Sequence, residues 1–380
     1  MNMPLLPAGG SPLDLFNTLL VTLSLPVSQR ASAALPDNLW LAAFWMAVSL
    51  AGVMAAFTVL GLVLVYAERK VAAHFQCRLG PMRVGPHGIF QTVADTVKLL
   101  SKEDLVPTGA DKLLFFLAPG LVLSGSLLAM ALVPASPWLQ VTDLSIGVVF
   151  VLAVGSLSVL GILLGGWSSN NKWSLLGAMR AGAQIVSYEL TATLAVLAVV
   201  MLAGSMSLNG IIQSQQAGWW IWRAPVAGLL GFLLFVIAST AEVNRTPFDI
   251  PEGESELAAG FHTEFSGLRF AFFFLAEFLN MFVASAIAAT LFLGGWLPFH
   301  IGDWQAFNGA MDLIPPVLWF GLKTGGLIFL MMWFRWTFPR LRVDQLMRLE
   351  WTFLLPVSLL NLLLCALLVL LGGVIFPGGF

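Results

Sequence analysis

Between residues 241 and 261 the chain reads AEVNRTPFDIPEGESELAAGF, and Glu242, Arg245, Asp249, Glu252, Glu254 and Glu256 crowd into that one stretch between two long apolar segments. Two carboxylates about 6 Å apart, at an effective dielectric near 20, repel by roughly 3 kcal/mol. Glu252, Glu254 and Glu256, with Glu264 beyond them and Arg245 as compensation, are therefore expected to titrate as a coupled set, some members holding protons near neutrality. A ligand that changes charge beside such a set would move those protons. Pro247, Phe248, Ile250, Pro251, Leu257 and Phe261 are interleaved with the acids, which suggests a folded, packed segment rather than a solvated acidic loop.

The elements that position these residues are membrane helices. Of 380 residues, 58% are hydrophobic and only 10% charged, against about 25% charged in soluble domains. A hydrocarbon core of roughly 30 Å needs about 20 apolar residues per helix. Eight segments satisfy this, at about 40–66, 113–134, 144–166, 181–203, 225–243, 267–296, 315–338 and 352–376. Their apolar runs are unbroken rather than alternating, so the fold class expected is an all-α integral membrane protein, a bundle of about eight transmembrane helices forming one domain over 40–376. Fourteen of the eighteen Lys and Arg lie in or beside the loops after spans 1, 3, 5 and 7. By the positive-inside rule those loops, 67–112 and 244–266 among them, face the cytoplasm and both termini face outward. Span 7 ends in Arg335 and Arg340, with Arg342 and Arg348 following, and topogenic charge is a sufficient reading for most of the four.

Residues 1–39 contain an apolar stretch, Leu15 to Leu25, but no basic residue precedes it and Asp14 sits at its start. They read as an interfacial lead-in rather than a cleaved signal peptide. In the loop 67–112, Gly80-Pro81 and Gly85-Pro86 break the chain ahead of an amphipathic helix, with Ile89, Val93, Val97 and Leu100 on one face and Gln91, Asp95, Lys98 and Lys102 on the other. Such a helix lies along the membrane surface.

Three ionisable residues fall inside spans: Glu189 in span 4, Glu277 near the middle of span 6 and Lys323 in span 7. An isolated charge there would lose its charge, so each needs a partner or water. A hydrated proton path accounts for them, with a structural ion pair of Lys323 and a glutamate as the alternative. The two cysteines, Cys77 and Cys365, sit in opposite settings, and the four histidines all lie in loops. No haem ligation, iron–sulfur centre or other metal site is expected, so electrons would have to come from partners or a diffusible ligand.

The stretches AERKVAAHFQCRLGPMRVGPHGIFQ (67–91), ADTVKLLSKED (94–104), WSSNNKWSLLGAMRAGAQIVSYE (167–189), FFLAEFLNM (273–281) and RVDQLM (342–347), together with the acidic loop, resemble the H subunits of NADH:quinone oxidoreductase, respiratory complex I, equivalent to mitochondrial NADH dehydrogenase subunit 1. The likeness runs from about Trp40 through span 8 and implies a translocase subunit in a bacterial inner membrane. This chain would form the membrane side of the quinone chamber and couple quinone reduction to proton translocation. It would bind no redox cofactor; NADH, FMN and the iron–sulfur clusters would belong to partner subunits. Partners implied are the hydrophilic-arm subunit with the terminal cluster, the small and antiporter-like membrane-arm subunits, and lipid, with no nucleic acid. By the same resemblance Glu68, Arg69 and Arg78 flank the tunnel entrance, with Asp95 and Lys98 near it. Arg245, Asp249, Glu252, Glu254 and Glu256 border the chamber, and Glu189, Glu242 and Glu277 begin the acidic path. Phe265 and Val343 stand where the family commonly has tyrosine, so neither offers a hydroxyl. A membrane-bound hydrogenase subunit on the same scaffold, a stand-alone ion transporter and a passive anchor are the rival readings.

Overall fold

The computed structural model describes residues 39–251, 253, 257–300 and 304–375. The lead-in 1–38 and the loop acids Glu252, Glu254 and Glu256 lie outside the described residues. Among those described, the chain is helical throughout: α1 Leu39–Phe75, α2 Gln91–Ser101, α3 Lys112–Leu132, α4 Gly147–Ser168, α5 Lys172–Ala203, α6 Leu208–Ser214, α7 Trp220–Arg223, α8 Ala227–Glu242, α9 Gly267–Phe292, α10 Gln305–Asp312, α11 Pro316–Thr337, α12 Val343–Leu349 and α13 Leu355–Ile375. Seven helical stretches are long and apolar enough to cross a membrane, α12 and α13 counting as one through the π-helical turn Glu350–Leu354. The shorter α8 is the eighth apolar helix.

Small residues let these helices approach closely, as membrane packing without a hydrophobic driving force requires. At Gly161 of α4 a methyl group would sit 2.4 Å from the Val122 side chain and 3.0 Å from the Ala118 carbonyl, so α3 and α4 touch backbone to backbone there. The second half of α9 is sealed: Ala286, Ala289, Leu291 and Phe292 are all buried. It is the axial helix, packed against α1, α3, α8 and α11.

Three helices run well past the spans expected from hydropathy: α1 continues to Phe75 rather than ending near 66, the α12–α13 helix begins at Val343 rather than near 352, and α5 begins early. α5 starts at Lys172, where Asn171 caps it by accepting from the Trp173 amide at 2.9 Å, nine residues before the apolar run begins. Glu189 therefore lies about 26 Å along its helix. Hydropathy measures the apolar part alone, and helix-forming sequence continues past it.

α8 keeps within two residues of its expected span at either end and is short for a transmembrane helix. Its sixteen residues reach about 24 Å, less than the hydrocarbon thickness. Asn244 takes a left-handed conformation, φ 54°, and Pro247 disfavours a helix before it. The chain then runs irregularly through Arg245, Phe248 and Ile250, all buried. Irregular backbone at such depth is tolerated only when enclosed by protein or lining a cavity.

The amphipathic α2 turns the Thr92 and Asp95 edge inward and leaves Lys98 exposed. Thr92 is buried and Asp95 half-buried, while Ile89, Val93, Val97 and Leu100 are exposed. The Arg69–Asp95 ion pair ties this helix to α1.

Candidate functional site

The irregular segment after α8 is held by backbone turns, by the Leu341 amide donating to the Pro247 carbonyl at 3.1 Å, and by one side-chain amide. Gln184 of α5 donates from Nε2 to the Ala241 carbonyl at 2.8 Å and the Phe248 carbonyl at 2.7 Å, clasping both ends of the break. Fixed this way, Arg245 projects into the bundle, where its Nη1 meets Glu68 Oε1 of α1 at 2.8 Å and its Nε meets Glu277 Oε1 of α9 at 3.1 Å. The guanidinium carbon also lies 4.7 Å from the centre of the Phe278 ring. Arg335 of α11 pairs with the same Glu68 oxygen. Four elements thus deliver two carboxylates and two guanidinium groups to one cluster whose formal charges cancel, with Glu68 and Arg245 buried and Glu277 and Arg335 half-buried.

This joins residues that the sequence set apart: Glu68 as an entrance residue, Arg245 as a chamber residue and Glu277 as a path residue. Arg335 and Arg340 also exceed the topogenic reading, since Arg340 Nη2 stands 3.9 Å from Asp249 Oδ1. The remaining expected residues lie apart. Glu68 and Arg69 are neighbours in sequence, yet Glu68 points into the cluster and Arg69 outward to Asp95. Arg78 donates to Gln76 at 2.6 Å on the surface, and Lys98 is exposed on α2.

Beside the cluster opens a cavity of about 250 Å³, lined among others by Arg335, Glu277, Glu242, Asn244, His262 and Asn280. A second cavity of about 60 Å³ is lined by Glu242 and Glu189. The two share Gly155, Glu242, Val243 and Asn280. Each has room for more than one water molecule. Glu189, half-buried, accepts from the Ser156 hydroxyl at 2.7 Å. Glu277 and Glu242 line the larger cavity and Glu242 and Glu189 the smaller, so the three acids follow one another along two adjoining cavities beside the ion-paired cluster.

Lys323 is not part of this line and pairs with neither glutamate. Its ammonium donates to the carbonyls of Leu293, Gly295 and Leu297 at 2.6, 2.9 and 2.6 Å, closing the C-terminal end of α9, and lies 4.1 Å from the centre of the Trp219 ring. A cation against the carbonyl end of a helix also meets the negative end of its dipole.

Several residues at the site carried no signal of their own. Gln184 and Asn280 are uncharged polar residues in apolar spans, a weaker mark than a carboxylate but the one that would have found them. His262 lies on the loop wall of the larger cavity between the Phe261 and Phe270 rings, and burial pushes its imidazole down to about 4. Phe265, lacking a hydroxyl, is buried and stacked on Phe115 with ring centres 4.1 Å apart. Among the described residues no group of three or more His, Cys, Asp or Glu is placed to hold a metal ion.

A multi-pass helical membrane protein with a charge-balanced, partly buried ion cluster and acid-lined cavities is the class that fold and site define. The profile of the NADH dehydrogenase family matches residues 48–366. The chain is 48% identical over 348 residues to the H subunit of the NADH-quinone oxidoreductase of Bacteroides fragilis, covering 91% of this chain and 96% of that one. It is 49% identical over 317 residues to the corresponding H subunit of Phocaeicola vulgatus, covering 83% and 88%, and 46% identical over 319 residues to that of Bacillus cytotoxicus, covering 83% and 92%. The chain belongs to the NADH dehydrogenase family.

Proposed function

We propose that this chain is the H subunit of a proton-pumping NADH:quinone oxidoreductase, a single bundle in a bacterial inner membrane with both termini outward. The loops 67–112 and 244–266 face the cytoplasm, where the hydrophilic-arm subunit with the terminal iron–sulfur cluster docks. Electrons reach quinone from that partner, and this chain contributes the membrane wall of the chamber without holding a redox cofactor.

The observation that carries the coupling role is the pair of adjoining cavities that share Glu242 in their walls. Reduction of quinone by two electrons builds negative charge that draws protons. Asp249 and the loop acids Glu252, Glu254 and Glu256 border the reacting molecule and respond first. Arg245 and Arg335 hold Glu68 and Glu277 in a balanced set, so a proton gained or lost nearby redistributes charge across the cluster. Glu277 then faces Glu242 across the larger cavity, and Glu242 faces Glu189 across the smaller, which leads toward the antiporter-like subunits. Glu68, Arg69 and Arg78, with Asp95 and Lys98 on α2, frame the entrance through which quinone arrives from lipid.

The test is made on the assembled complex in liposomes. Glu242→Gln keeps size and hydrogen bonding but cannot carry a proton, so quinone reductase and proton translocation fall while NADH oxidation by ferricyanide persists. Glu254→Gln and Glu256→Gln reduce quinone reductase in the same selective way. Undiminished quinone turnover in all three variants would falsify the coupling role.

A further inference from the structure

We propose that Asn280, fixed by Ser126 and lining both cavities together with Gly155, is a positioning residue that orders the water through which protons pass from the larger cavity to the smaller. This rests on the reading of Glu277, Glu242 and Glu189 as a proton path and adds a residue and a constriction to it.

The two cavities meet where α4, α8 and α9 converge, and the residues common to both are Gly155, Glu242, Val243 and Asn280. Of these, Glu242 and Asn280 bring the polar side chains. Asn280 lies three residues after Glu277, so both occupy one face of α9 about one turn apart. Further along that face Ala284 and Ile287 line the smaller cavity. The face thus passes from acid to amide to apolar wall, with the amide at the constriction.

The amide is held. The Ser126 hydroxyl of α3, fully buried, lies 2.7 Å from Asn280 Oδ1, and the Ala276 and Val122 carbonyls lie 3.3 and 3.2 Å from the same hydroxyl. One end of the amide is therefore committed to α3 and the other is left to the constriction. An amide has two donor and two acceptor positions and no proton to release near neutrality, so it orients water without itself being a carrier.

Gly155 sets the width. A methyl group at this position would lie 3.4 Å from Glu242 Oε1, at ordinary contact distance. Alanine is accommodated, whereas a branched or longer side chain fills the space between Glu242 and Asn280 and displaces the water.

The experiment uses the complete complex in liposomes, with Asn280→Leu, Asn280→Ser, Gly155→Ala and Gly155→Leu compared with Glu242→Gln and Glu189→Gln. Ferricyanide reduction reports assembly; quinone turnover, quinone KM, proton translocation and the solvent deuterium isotope effect report function. Asn280→Leu and Gly155→Leu should lower quinone-linked turnover by about tenfold, the rate equivalent of one hydrogen bond withdrawn from the transfer step. Quinone KM stays unchanged and the isotope effect rises. Asn280→Ser, which restores a hydroxyl and room for water, and Gly155→Ala should recover most of the loss seen with leucine. Turnover and isotope effect unchanged in both leucine variants, with both glutamine variants impaired, would overturn the constriction and leave the acidic path standing. Full activity in the glutamine variants overturns the path and the constriction with it. If Asn280→Leu does not assemble, Ser126→Ala decides the question, because it keeps the amide and removes what fixes it. A raised isotope effect with slowed turnover supports the proposal, and normal values for both refute it.

Discussion

The break after α8 depends on Gln184, and replacing it by leucine tests whether the cluster is positioned by that one amide. Its Nε2 donates to two backbone carbonyls, Ala241 at 2.8 Å and Phe248 at 2.7 Å, both on buried residues. Leucine has a similar volume, so little cavity is created. It has no donor, however; the Asn244 and Ile250 amides still reach the two carbonyls at 3.2 and 3.0 Å, so each lost hydrogen bond costs about 0.5–1.5 kcal/mol. Two of them amount to about 1–3 kcal/mol, a sizeable fraction of the stability of a typical domain. The segment they anchor carries Arg245, and a shift of about 1 Å would separate the guanidinium from Glu68 and Glu277, since a charge-assisted hydrogen bond tolerates little stretching. The measurement is thermal inactivation of quinone reductase in the solubilised complex, beside ferricyanide reduction, which does not depend on this segment. Gln184→Leu should bring a much shorter half-life and reduced quinone turnover. Gln184→Glu, which sets a carboxylate against two carbonyls, should be at least as damaging. A leucine variant with wild-type half-life and turnover would refute the claim that this amide organises the site.

Lys323→Met should shorten the thermal half-life, because three carbonyls at the end of α9 lose their donor. Part of the cost is returned by no longer burying an ammonium, leaving a net loss of about 2–4 kcal/mol. The number of protons translocated per quinone in the surviving complex should be unchanged, and a lowered ratio would place Lys323 on the path after all. For His262 the folded protein holds the imidazole down at about 4 through burial, against its usual 6.5. Below pH 6.5 the unfolded chain gains a proton that the folded one refuses, so stability is complete above that pH and is lost as pH falls toward 4, by at most about 3 kcal/mol. His262→Gln should flatten this part of the stability profile, and an equally steep acid decline in the variant would assign it to other groups.

Much of the fold was legible because membrane insertion is read from apolar composition accumulated along a local stretch of chain. α3, α4 and α9 coincide closely with their hydropathy segments for that reason. The acids were legible as well, since a carboxylate in an apolar span stands out wherever its helix packs. The start of α5 was not, because its first turns are helical without being uniformly apolar. The end of α8 at Glu242 falls within one residue of its apolar run, but the glutamine from another helix that clasps the break beyond it was not visible.

By itself, then, the sequence determined that the chain crosses the membrane as about eight helices, which family it resembles, and where its intramembrane acids and lysine sit. Only the tertiary structure decided that Arg245 bridges Glu68 and Glu277, that Arg335 joins them from α11, and that Lys323 closes a helix end instead of neutralising an acid. Residues 68, 245, 277 and 335 are scattered along the chain, and nothing local to any of them specifies which helices will approach. Burial is a property each segment carries alone, whereas a buried charge finds its partner only through the packing of the whole bundle.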